Sequence, residues 1–118
     1  GTLLMMHRAV QAAEILEKEG ISAEVIDPRT LVPFDWELVN QSVEKTGRVV
    51  LVEESNRRGG IMAEIAATIA EERPDYLLAP IKRLGAPSTP APFVPAMEEF
   101  YKPSVEKICN AAREAVNY

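Results

Sequence analysis

The chain has 118 residues, 47% hydrophobic and 26% charged, enough for one hydrophobic core and too little for two domains. Its net charge of -5 with scattered basic residues excludes the electrostatic footprint of a nucleic-acid binder and suits a basic protein partner better. No window approaches the roughly 20 apolar residues of a membrane span, and a single Cys and a single His exclude an internal disulfide and the usual zinc ligand sets. The expectation is one soluble, cytoplasmic domain over residues 1–118, with no metal and no membrane contact.

Met6, Val10, Ala13 and Leu16 fall at helical spacing with polar residues between them, and Gly20 follows where a helix stops. Ile21 to Asp27 alternates apolar and polar side chains and ends at Pro28, which predicts a strand. After a connector from Arg29 to Phe34, Asp35 is positioned to cap a helix that turns Leu38, Val39 and Val43 inward and closes at Lys45, Thr46 and Gly47. Val49-Val50-Leu51-Val52 is a continuous apolar run of strand formers, the pattern of a central parallel strand covered on both faces. A loop from Glu53 to Gly60 leads to a helix with Met62, Ile65, Ala66 and Ile69 in one stripe, ended near Pro74. A further strand is expected at about Pro80 to Leu84. Pro87, Pro90, Pro92 and Pro95 predict an extended surface strap from Gly85 to Pro95. Pro103 and Ser104 open a last helix whose inward side carries Val105, Ile108, Cys109, Ala112 and Val116. Helices alternating with short strands define an α/β fold with a mostly parallel sheet. Three strands are few for four helices, so at least one strand is expected upstream of Gly1.

The loop Glu53 to Gly60 leaves the C-terminal end of the central strand and enters a helix, which is where open α/β sheets take ligands. Arg57, Arg58, Gly59 and Gly60 could serve a phosphate or nucleotide there, but neither G-x-x-x-x-G-K-[ST] nor G-x-G-x-x-G is present. The plainer reading is a tight glycine turn with two arginines on a solvated or interface loop. Glu53-Glu54, Glu71-Glu72 and Glu98-Glu99 read as surface carboxylates, since adjacent residues in extended backbone point to opposite sides. His7 reads as a packed or capping side chain, Cys109 as a buried inert thiol, and no G-x-S-x-G elbow exists. Catalytic, cofactor-binding and metal-ligating residues are expected to be absent.

Five segments in order carry a family resemblance over essentially the whole chain. The most telling are Ala12-Ala13-Glu14 through Glu24-Val25-Ile26-Asp27-x-Arg29-Thr30-Leu31, then Ser42-Val43-x-Lys45-Thr46-Gly47, and Thr89-Pro90-x-Pro92. They resemble the C-terminal domain of the beta subunit of thiamine-diphosphate-dependent 2-oxo-acid dehydrogenases of the pyruvate, branched-chain and acetoin type, a domain similar to the one that closes transketolases. The resemblance implies a three-layer α/β/α domain whose mostly parallel sheet has five strands, one edge strand antiparallel, with two strands preceding the first helix. It also implies that the thiamine diphosphate and magnesium of the parent enzyme lie elsewhere, between the alpha subunit and the N-terminal part of the beta subunit. The domain itself becomes a non-catalytic assembly and docking unit. Its implied partners are the alpha subunit, a second beta subunit and the basic subunit-binding domain of the acyltransferase core.

On that basis Arg58, Gly59, Gly60, Met62 and Glu64 are expected at a subunit interface, and Glu114 and Tyr118 at the docking end. Two positions depart from the family pattern. Relatives often carry an acidic residue just before the Ala-Pro of this strand, a position that falls near Ala79 and is not acidic here, and Pro28 stands where many have leucine. The alternatives are an independent nucleotide- or phosphate-binding domain, or the C-terminal domain of a transketolase or 1-deoxyxylulose-phosphate synthase.

Overall fold

The computed structural model describes residues 3–118. The elements run α1 (Leu4–Lys18), α2 (Trp36–Thr46), β1 (Val50–Asn56), α3 (Ile61–Glu72), a short 3-10 turn (Pro74–Tyr76), β2 (Lys82–Ala86), α4 (Pro95–Tyr101) and α5 (Val105–Val116). β1 and β2 are parallel, with Val50 opposite Lys82, Leu51 opposite Arg83 and Val52 opposite Leu84, and an irregularity before Asn56 opposite Ala86. The fold is α/β, as the alternation of elements requires.

The apolar run of β1 explains the layering. Side chains alternate across a strand, so Val50 and Val52 join α1 and α5 through Leu16, Ile108 and Cys109, while Val49 and Leu51 join α2 and α3 through Val43, Ile65 and Ile69. Each face of the sheet thus has its own core and its own helix layer. The ends of α2 follow local chemistry: the Asp35 side chain accepts from the Leu38 N–H at 3.0 Å, and the Gly47 N–H donates to the Val43 carbonyl at 2.8 Å. Gly47 adopts φ 67, the left-handed closure that a side chain would strain. Ser104 caps α5 in the same way as Asp35, accepting from the Lys107 N–H at 3.2 Å.

Several expectations are corrected. Residues 21–27 do not join the sheet, because the nearest strand edge, that of β1, stands across a cleft. Glu53 to Asn56 continue β1 rather than begin the loop, and the last strand lies two residues later than expected. The proline strap runs as expected through Val94, but Pro95 opens α4, sitting in its first turn where its missing N–H costs nothing. On α1 the buried side chains are Met5, Ala12 and Leu16, leaving Val10 exposed, and on α5 Val116 is exposed while Ala111 and Ala115 are buried.

The cleft has a volume of about 580 Å³ and opens between residues 21–26 and the edge of β1 that faces away from β2. Leu16 and Ile108 line it from one layer, Val43 and Ile69 from the other, and Val50 and Leu51 from the strand. Native interiors rarely hold voids much larger than one water.

Candidate interaction surfaces

The C-terminal end of β1 carries the richest chemistry. Because Glu53 shares the parity of Leu51, its side chain turns toward α3 and is only 4% exposed. One of its oxygens accepts from the Ser55 hydroxyl at 2.6 Å. The same carboxylate lies against Gly60, the N-cap of α3, so closely that a Cβ on Gly60 would overlap both of its oxygens. A buried carboxylate at a helix start interacts favourably with the macrodipole and the unpaired N–H groups there. Sequence reasoning placed Glu53 at the surface; the continuing alternation through Val52 was the signal that contradicted this. Its presence also bears on anion binding, since a phosphate approaching the start of α3 would meet a negative charge already seated there.

Arg57, Arg58 and Gly59 follow as an exposed turn. The Arg57 N–H donates to the Ala86 carbonyl at 3.0 Å, and the Arg83 guanidinium donates to the Arg57 carbonyl at 3.3 Å, tying this turn to the end of β2. The Tyr101 hydroxyl lies 2.7 Å from both Asn56 Oδ1 and the Thr89 carbonyl, which holds α4 and the strap over the strand ends. Arg8 anchors the same region from α1, donating to the Pro103 carbonyl at 2.7 Å and pairing with Glu99. Together these elements bound a groove of about 1290 Å³.

The residues expected at a subunit interface are not a single patch. Arg58, Gly59 and Glu64 are exposed and Gly60 is half-buried, but Met62 is 2% exposed and packs in the core with Ile65 and Ile69. Met62 therefore offers no surface to a partner. At the C-terminal end, Tyr118 is 80% exposed, and Glu114 reaches back to Lys82 at 2.8 Å. Ala79 is buried.

His7 is exposed on α1, and the Cys109 thiol is buried, 3.8 Å from the Ala12 carbonyl. Among the described residues no three His, Cys, Asp or Glu side chains gather as a metal site, and no helix is long and apolar enough to cross a membrane. Two surface carboxylates are held below their ordinary range: Glu19 by the hydrogen-bonded Arg113 guanidinium and Glu24 by Lys45 and Ser42. Both are structural pairings, joining α1 to α5 and the 21–27 segment to α2.

Two parallel strands flanked by helices on both faces, with the strand ends closed by a strap, define an α/β domain. The chain belongs to the family described as the transketolase C-terminal domain, whose model matches residues 2–108. Within that family it is similar to beta subunits of three kinds. It is 46% identical over 113 residues to the acetoin:2,6-dichlorophenolindophenol oxidoreductase subunit beta of Cupriavidus necator, covering 96% of this chain and 33% of the relative. It is 47% identical over 116 residues to the 2-oxoisovalerate dehydrogenase subunit beta of Bacillus subtilis, covering 98% and 36%. It is 45% identical over 111 residues to the mitochondrial pyruvate dehydrogenase E1 component subunit beta-2 of Oryza sativa subsp. japonica, covering 94% and 30%. The chain thus spans about a third of the length of the curated relatives it matches.

Proposed function

We propose that the chain is the C-terminal domain of the beta subunit of a thiamine-diphosphate-dependent 2-oxo-acid dehydrogenase, where it serves assembly and docking rather than chemistry. The observation that carries this reading is identity of 46–47% across nearly the whole chain to proteins named as beta subunits, of which the chain covers only a third. In this reading the cofactor and its magnesium ion are bound by the other parts of the enzyme. The domain meets the alpha subunit and a second beta subunit, and its end carrying Glu114 and Tyr118 faces the acyltransferase core. An aqueous compartment, the cytoplasm in the simplest case, suits it.

The cleft belongs to the same reading. Its open strand edge and two apolar layers fit one more parallel strand, seated between residues 21–27 and β1 and supplied by a longer polypeptide. Residues 21–27 would then become a sheet strand in that longer protein. The nucleotide-binding alternative is weaker, because Glu53 already occupies the start of α3.

The test is reconstitution of the longer polypeptide with its alpha chain. Reduction of dichlorophenolindophenol is measured with pyruvate, 3-methyl-2-oxobutanoate and acetoin, with and without thiamine diphosphate. Cofactor-dependent turnover of one of them is expected, and no turnover of any would overturn the reading.

A further inference from the structure

The groove at the strand ends collects the protein's uncommitted positive charge. Of the thirteen Lys and Arg residues, six stand outside the ion pairs formed among the described residues: Lys18, Arg48, Arg57, Arg58, Arg83 and Lys107. Four of these six line this one groove, and no Asp or Glu does, in a chain with 18 acidic residues. Left alone, such a cluster is self-repelling; its potential favours an anion.

The opposite wall is apolar. Met97 and Phe100 of α4 are 60% and 82% exposed, Lys107 sits 5.4 Å over the Phe100 ring, and Pro90 and Pro92 stiffen the strap beside them. With a volume of about 1290 Å³ the groove exceeds the usual 300–1,000 Å³ of small-ligand pockets, and it is open to solvent. A free phosphate would use the arginines and leave the aromatic wall bare. An extended or helical segment bearing carboxylates around an apolar anchor would use both.

We infer that this groove, formed by Arg57, Arg58, Arg83 and Lys107 facing Met97 and Phe100, is a docking site for an acidic segment of a partner polypeptide. The carboxylates pair with the guanidinium groups, which favour planar two-point contacts, and an aromatic or aliphatic side chain packs on Phe100. The inference stands apart from the dehydrogenase reading, sharing with it only Arg58 and Gly59.

The experiment uses the whole polypeptide that carries the chain, and as probe a fluorescein-labelled peptide with a Leu-Phe pair flanked by aspartates and glutamates, read by anisotropy. Saturable binding is expected that weakens with salt, is absent for the same peptide with lysines in place of the acids, and falls by about tenfold or more in the pair Arg57→Glu and Arg58→Glu. Phe100→Ala should weaken it separately, and Lys107→Glu provides a second charge reversal should the arginine pair disturb folding. Thermal unfolding of each variant reports whether the domain is intact. The inference is overturned by absence of binding at millimolar peptide, by equal binding of the lysine peptide, or by indifference to both the charge and the Phe100 changes in folded variants. Displacement by equimolar ATP or inorganic phosphate would overturn it in favour of a small-anion site.

Discussion

Gly60→Ala isolates the contact at the start of α3. Gly60 has φ -76 and ψ 161, extended backbone that alanine adopts without strain, so the cost arises from what the new Cβ meets. It would overlap both carboxylate oxygens of Glu53, a side chain only 4% exposed and fixed by the Ser55 hydroxyl at 2.6 Å. Moving that carboxylate forfeits a hydrogen bond to a charged group, worth about 1.5–3 kcal/mol, and overpacking alone costs about 1–3 kcal/mol. These are alternative routes to the same relief, so the expected loss is about 2–3 kcal/mol. In a Glu53→Ala background the obstacle is gone, and Gly60→Ala should be neutral or stabilise by about 0.4–1 kcal/mol through the unfolded chain. The double-mutant cycle should therefore give a coupling of about 2–4 kcal/mol. Urea unfolding can be followed by the fluorescence of Trp36, the only tryptophan, whose ring centroid lies 4.6 Å from that of Phe34. An equal penalty in both backgrounds would refute the reasoning, because the constraint would then lie in the backbone.

Other outcomes follow from the same structure. Asp35→Ala removes the acceptor for the Leu38 N–H and should cost about 1 kcal/mol in urea unfolding, with Asp35→Asn recovering most of it. Glu19 is held below its ordinary range by Arg113, so this pair stabilises the fold above the unfolded carboxylate value, and that contribution disappears as pH falls through the lowered one. An NMR titration should show the Glu19 midpoint rising toward the ordinary value in Arg113→Ala and in high salt, since the pair is exposed and screened. Deleting Asn117 and Tyr118 from the longer protein should weaken binding to the acyltransferase's subunit-binding domain, measured by calorimetry, while leaving turnover of free substrate unchanged.

Local chemistry was readable where it acts alone. Asp35 and Gly47 marked the ends of α2, Ser104 opened α5, and Val49 to Val52 announced a strand covered on both faces. What could not be read depends on neighbours. The apolar face of α1 is wide, running from Met5 and Met6 through Ala12 and Ala13 to Leu16, and packing against α5 chooses Met5 and Ala12 for burial. Residues 21–27 have the alternation of a strand, but alternation alone cannot make a ladder without an edge beside it. Pro95 looked like one more proline of the strap, although proline in a first helical turn followed by Ala-Met-Glu-Glu is also a helix start. The cationic groove was least legible. Arg57 and Arg58 are adjacent in the sequence, whereas Arg83 and Lys107 join them only through the parallel pairing of β2 with β1 and the return of α5.

The claim that this domain serves assembly rather than chemistry is tested most directly by the mass of the reconstituted complex. Light scattering would compare alpha chains combined with the longer beta polypeptide, with and without the 118 residues. Loss of beta–beta pairing on removal is the predicted result. An assembly of unchanged stoichiometry, with activity lost instead, would contradict it and point to a catalytic role for these residues.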